Sequence, residues 1–252
     1  MADVEDGVSH DLTLPSLPRQ TAVTRCIAVT GASGKTGWRV VQEARARGWQ
    51  ARALLRPASQ VPEGLAGSDI RRLQLSDEES LVPALEGCDA LVIACGARPS
   101  PDLSGPLKVD ALALRPQIEA CRRAGVKRIV LVTSLCSGRL LHPLNLFGLI
   151  LVWKGLGERW LRESGLDWTI VRPGGLSERE EDLAQLKLVF SGADQQEDGT
   201  IPRRLVARVC LDALETPESV GQVLEITAVP EGPAISLAQW LHDQPLTAPA
   251  PG

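Results

Sequence analysis

The sequence predicts a parallel α/β fold, with helices covering both faces of one twisted sheet, and three observations carry that prediction. An apolar run, Cys26-Ile27-Ala28-Val29-Thr30, opens directly into Gly31-Ala32-Ser33-Gly34-Lys35-Thr36-Gly37. Similar apolar, β-branched runs bounded by polar turns then alternate with helical patterns along the chain, which calls for parallel strands joined by helices. With 252 residues, 44% of them hydrophobic, there is enough apolar mass for one sizeable core.

Residues 1–21 carry Asp3, Glu5, Asp6 and Asp11, two prolines and no apolar run. That composition predicts a disordered arm and suits neither a signal peptide nor an acid-poor transit peptide. Residues 22–243 read as one domain and 244–252 as a Pro/Ala-rich tail. The first strand is predicted at 27–30, and Trp38, Val40, Val41 and Ala44, ending before Gly48, mark a helix over 37–47. Strands follow at 51–55, 70–75 and 90–94, with a helix at 79–85. Ile129 to Thr133 is a continuous apolar strand preceded by a helix over 109–124. A helix over 149–164 leads to a strand at 169–171, and a helix over 203–214 leads to the seventh strand, 223–227. Right-handed crossovers then give a doubly wound Rossmann order, 3-2-1-4-5-6, with the seventh strand at the edge and ligand at the carboxyl ends of the strands. The polar segment 178–200 suits either a lid over the substrate side or an ordinary surface excursion.

The strand-loop-helix at the start forms a phosphate cradle. Gly31 permits the tight turn, Gly34 lets backbone approach a pyrophosphate, Gly37 lets helix pack on strand, and the N–H groups at the helix start face the anion. A dinucleotide is the expected ligand. NAD sites place Asp or Glu about 20 residues beyond the glycines for the ribose hydroxyl. Here that place reads Leu54-Leu55-Arg56-Pro57. An arginine cannot accept from a hydroxyl but can grip a 2'-phosphate, so NADP(H) is expected over NAD(H), with Arg56 as discriminator and Lys35 or Arg52 in support. The alternative for Arg56 is a solvated charge at a strand end.

A formal charge of −4 shows no basic excess for nucleic acid. Cys26, Cys88, Cys95, Cys121, Cys136 and Cys210 stand far apart, without C-x-x-C pairs or a histidine cluster. This argues against zinc and a disulfide framework, and for reduced thiols in a cytoplasmic protein. No apolar stretch reaches the roughly 18 to 20 residues of a membrane span. The run 140–153 is the nearest, and it is read either as a buried loop and helix face or as a docking surface.

Four segments together resemble one family: the glycine loop; Lys108-Val109-Asp110 before the helix ending Arg123-Ala124-Gly125-Val126-Lys127-Arg128; Ile129 to Leu135; and Trp153-Lys154 leading to Ser164-Gly165-Leu166-Asp167-Trp168-Thr169-Ile170-Val171-Arg172-Pro173-Gly174-Gly175-Leu176. The chain is similar to the atypical short-chain dehydrogenase/reductases with an NmrA-like NAD(P)H-binding domain. G-x-x-G-x-x-G is the spacing of that group. The resemblance implies that Gly31, Ser33, Gly34, Lys35, Thr36, Gly37 and Arg56 surround adenosine and phosphates. It implies that Ala94, Cys95, Gly96, Thr133 and Ser134 flank the nicotinamide half. Lys154 would reach the nicotinamide ribose, and Pro173, Gly174 and Gly175 would present backbone to the carboxamide. Where relatives carry Gly-Asp after the third strand, this chain has Leu73-Gln74-Leu75-Ser76-Asp77, which puts that adenine contact in doubt.

The main branch of these enzymes uses Tyr-x-x-x-Lys, but this chain contains no tyrosine, and Ile150 stands four residues before Lys154. The tyrosinate route is excluded. Two functions survive. One is an NADP(H)-dependent oxidoreductase passing hydride to a flavin, quinone or tetrapyrrole-like acceptor, with Ser134 and Lys154 as catalytic candidates, assisted by Ser137 or water. The other is a non-catalytic NADP(H)-binding redox sensor or assembly protein with a protein partner. Ser134 reads equally as a strand-end cap, Lys154 as a solvated helix charge, and His142 as a loop residue rather than a proton donor.

Overall fold

Ile27, Ala28 and Val29 are sealed from solvent on both faces of their strand, as a central parallel strand requires. In the computed structural model, which describes residues 25–96, 107–139, 141–146 and 148–244, this strand is β1 (Cys26–Thr30). The proposed arm at 1–21 and most of the tail lie outside the described residues. Beside β1 lie β2 (Gln50–Leu55) and β4 (Ala90–Ile93), both parallel to it. The full sheet has eight strands in the order β3-β2-β1-β4-β5-β6-β10-β8, with β3 (Asp69–Arg72), β5 (Arg128–Val132), β6 (Asp167–Pro173), β8 (Lys187–Ser191) and β10 (Gln222–Val229). The predicted order through the sixth strand is observed.

Two apolar layers enclose the sheet, because alternate strand side chains face opposite sides. Ile27 and Val29 join Val40, Val41 and Ala44 of α1 (Gly37–Ala46), Val206, Val209 and Cys210 of α5 (Arg203–Glu215), and Leu237 of α6 (Leu237–Asp243). Ala28 joins Leu81 and Leu85 of α2 (Glu78–Leu85), Ile118 and Cys121 of α3 (Leu114–Ala124), and Leu161 of α4 (Ile150–Arg162).

Three departures from expectation have local causes. The helix expected over 109–124 is split into a π-helical stretch, Leu107–Leu112, and α3. Pro116 has no N–H, and its ring would collide with the carbonyl four residues back, so a regular α-helix cannot run through Leu112. The strand 223–227 does not end the sheet. Segment 178–200 supplies β8, which runs antiparallel along β10 and covers its edge, with Phe190 stacked 5.8 Å from Trp240. The same region gives a two-stranded ribbon, β7 (Gly175–Ser177) with β9 (Thr200–Pro202). The run 140–153 is divided: Leu151 is buried, whereas Leu141, Leu146 and Leu149 are exposed.

Candidate dinucleotide site

The glycine loop is held in shape by close backbone packing. Gly31 has φ +72°, and a Cβ there would stand 2.6 Å from the Ala94 carbonyl oxygen. A Cβ on Gly37 would stand 2.3 Å from the Gly31 carbonyl oxygen, so α1 packs onto the loop that precedes it. The Gly31 contact presses the β1 turn against the end of β4 and brings Ala94 and Cys95 beside it, with Gly96 next in the chain. The Gly34 N–H donates to the Gly31 carbonyl at 2.8 Å, tightening the turn. Among the described residues, the backbone N–H groups of Ser33, Lys35 and Thr36 have no acceptor, and they stand at the amino end of α1 where an anion is favoured.

Beside the loop opens a groove of about 1010 Å³ that brings Ser33, Lys35 and Arg56 together, with Trp38, Gln74 and Glu178. Gln74 stands where the sequence left the adenine contact in doubt. Arg52 is excluded from this group: its guanidinium donates to the Ala84 carbonyl at 2.6 Å and to Asp69 at 3.2 Å, at the far end of the sheet layer formed with α2.

The sequence reading missed an ionic strap. Glu178 pairs with Lys35, and Glu180 pairs with Arg39 and, at 3.0 Å, with Arg204. The Lys35 hydrogen bond holds the Glu178 carboxyl below the usual carboxylate range. Burial pushes Glu180 the other way, but hydrogen bonds from Arg39 and Arg204 outweigh it and its pKa is also lowered. Arg203 was missed too. It donates to the buried Thr36 hydroxyl at 3.1 Å, and its Nε is buried without a partner among the described residues. No local pattern flags Arg203, since 167 residues separate it from Thr36.

On the side where the resemblance would put the nicotinamide lies a narrow cleft of about 10 Å³ lined by Cys95, Gln117, Thr133 and Lys154 with apolar neighbours. Lys154 is buried, not a solvated helix charge. The Gln117 Oε1 is buried without a partner among the described residues, while its amide donates to the Ala113 carbonyl at 2.7 Å. The Thr133 hydroxyl donates to Glu158 at 2.7 Å. Ser134 donates to the Leu135 carbonyl at 3.1 Å and lies outside the cleft lining, the strand-end role that competed with a catalytic one. The backbone expected to serve a carboxamide is engaged elsewhere. The Pro173 carbonyl accepts from Leu135, Gly174 donates to Ile226 and Gly175 donates to Gly199. Gly174 is required because a Cβ would stand 2.5 Å from the Gly199 carbonyl oxygen.

A family described as NAD(P)H-binding matches residues 31–217, beginning at the first glycine of the loop. The chain belongs to that family. An uncharacterised chloroplastic protein of Arabidopsis thaliana is 37% identical over 82% of this chain and 70% of its own length. Sanguinarine reductase of Eschscholzia californica is 31% identical over 82% of this chain and 90% of its own. Among solved structures, an NAD-dependent epimerase/dehydratase candidate from Bacillus halodurans superposes with a TM-score of 0.74, at 26% identity over 87% of this chain and all of the other. A Veillonella parvula short-chain dehydrogenase/reductase in complex with NADP shares the fold, with a TM-score of 0.62 at 19% identity over 85% and 98% of the two chains. The residues present fit a nicotinamide dinucleotide: a backbone cradle that a Cβ would fill, unengaged N–H donors, and a cationic groove beside them. Among the described residues no group of three or more metal-ligating side chains occurs, and no helix is long and apolar enough to cross a membrane.

Proposed function

We infer that the protein is an NADP(H)-dependent oxidoreductase of the short-chain type, working without a catalytic tyrosine on an acceptor that needs little enzymic protonation: a flavin, quinone or tetrapyrrole. The observation that carries this reading is the groove shared by Lys35 and Arg56 beside the glycine loop, with arginine where an NAD site needs an acid. A bound nicotinamide coenzyme supplies hydride. The N–H groups of Ser33, Lys35 and Thr36 would hold its diphosphate, aided by Arg203, while Arg56 and Lys35 would hold the 2'-phosphate. Lys154 would hold the nicotinamide ribose hydroxyls. Thr133 has already committed its proton to Glu158, and Ser134 to Leu135, so neither hydroxyl is poised to donate to a substrate. Catalysis then rests on orienting the coenzyme's reactive carbon against the acceptor, for which a flavin or quinone is the suited partner. The relative named sanguinarine reductase supports a reductase.

A second reading, an NADP(H)-binding sensor or assembly protein, is favoured by the missing tyrosine and by Leu141, Leu146 and Leu149 standing exposed before α4. One experiment separates them: the protein is titrated with NADPH and NADH, then mixed with NADPH and flavin, quinone, biliverdin and aldehyde acceptors while nicotinamide absorbance is followed. NADPH oxidation by any acceptor establishes the enzyme. Tight binding without turnover across the panel establishes the sensor, and failure to bind either coenzyme removes both.

A further inference from the structure

Far from the coenzyme groove, at the amino ends of β1 and β4, the thiols of Cys26 and Cys88 stand 3.6 Å apart. We propose that this pair is a dithiol site that reacts with low-molecular-weight disulfides and closes to an intramolecular Cys26–Cys88 disulfide.

Three observations support it. First, the contact is built by the fold: the Asp89 N–H donates to the Cys26 carbonyl at 2.8 Å, and the Cys26 N–H donates to the Asp89 carboxylate at 2.7 Å. These two bonds anchor the neighbouring backbones, and the sulfurs must close only from contact to the roughly 2 Å of a bond, a distance that side-chain rotation spans. Second, the two thiols differ in access. Cys26 is partly exposed and can meet a reagent, whereas Cys88 is buried beneath it. Third, Cys121 and Cys210 are sealed from solvent, so a reagent in solution does not reach them.

The chemistry balances in two exchanges. The Cys26 thiolate attacks one sulfur of a reagent RSSR, forming a Cys26 mixed disulfide and releasing RS⁻. The Cys88 thiolate then attacks the Cys26 sulfur, forming the intramolecular bond and releasing the second RS⁻. The two protein thiols are oxidised by two electrons, RSSR is reduced, and the two thiol protons end on the two RSH formed. Burial pushes the Cys88 thiol up, so the second exchange waits on its deprotonation. Its rate therefore rises about tenfold per pH unit through the neutral range.

Reduced full-length protein is incubated with glutathione disulfide, quenched by alkylation, and read by intact mass and peptide mapping. The expected product is lighter by two hydrogens, about 2 Da, with the peptides of Cys26 and Cys88 linked and the melting temperature raised by roughly 5 to 10 °C. Cys88→Ala halts at a glutathione adduct on Cys26, and Cys26→Ser gives no cross-link. Cys88→Ser, read alongside, distinguishes loss of the thiol from a packing defect. Wild-type protein that stays unmodified at Cys26, or that holds a stable Cys26 adduct at pH 9 without cross-linking, overturns the proposal.

Discussion

At the residue scale, Arg56 and Gly37 illustrate two kinds of necessity. Arg56 lines the groove with Lys35, and charge-assisted hydrogen bonds to a phosphate contribute about 1.5 to 3 kcal/mol. Arg56→Asp is expected to weaken NADPH binding by about 10- to 100-fold and NADH binding by far less, measured by calorimetry. An unchanged preference between the coenzymes would remove Arg56 as the discriminator. Gly37 is required by space alone. The 2.3 Å approach of a would-be Cβ to the Gly31 carbonyl cannot be relieved by moving a flexible side chain, so Gly37→Ala should destabilise the fold by about 2 kcal/mol or more. Urea unfolding checks this, and a loss below about 0.5 kcal/mol would show that the loop yields. The tight glycine turn and the strand-end position of Arg56 were legible in the sequence because both are local properties. The backbone bonds of Pro173, Gly174 and Gly175 were not, since their partners, Leu135, Ile226 and Gly199, come from other elements.

At the scale of elements, Glu178 of the strap would compete with a bound coenzyme for Lys35, whereas Glu180 holds Arg39 and Arg204. Lys35 faces Glu178 now and would face a phosphate in the complex. Glu178→Gln removes the competitor and should tighten NADPH binding by about 3- to 10-fold, the reverse of Arg56→Asp; weaker binding would show that Glu178 supports the groove instead. The pH dependence follows from the direction of the shifts. Both carboxyls titrate lower in the folded protein than in the unfolded chain, so their contribution is present above the ordinary carboxylate pKa of 4.5 and is lost as pH falls through the folded values. Proteolysis at 178–182 should therefore accelerate on acidification below pH 4.5 in the wild type, with a smaller change in Glu180→Gln. A rate independent of pH would place the strap's anchorage elsewhere. Sequence periodicity located α1 to α5 because each buries one face, but not the seven-residue α6, which buries only Leu237. It missed β8 because Lys187–Ser191 sets Leu188, Val189 and Phe190 in a row, of which only Phe190 is buried, so the short segment shows no alternation to read.

At the scale of the whole molecule, a buried polar chain runs from the end of β5, through α4 and β6, to β10. The Thr133 hydroxyl bonds Glu158, Glu158 pairs bidentately with Arg172 at 2.6 and 3.0 Å, and Arg172 reaches Glu225 at 3.3 Å. Glu225 in turn accepts from the backbone N–H groups of Asp194, Gln195 and Gln196. Burial acts to lower the Arg172 pKa, but its bonds and charge contacts to Glu158, Asp194 and Glu225 raise it. Glu158→Gln leaves a buried guanidinium short of its main counter-charge, and a cost of about 3 to 5 kcal/mol in urea unfolding is expected. A cost under about 1 kcal/mol would mean that Asp194 and Glu225 suffice.

By itself the sequence determined the strands that form the centre of the sheet, the order through the sixth, and the glycine loop with its dinucleotide class. Those features rest on short-range regularities: continuous apolar runs, one-sided helices and a fixed glycine spacing. Tertiary structure alone decided that Glu178 meets Lys35, that Arg203 meets Thr36, that β8 caps β10 and that Cys26 meets Cys88. Each is a contact between side chains or strand edges distant along the chain, and polar side chains of such segments carry no periodic signal of the partner that the folded sheet brings to them.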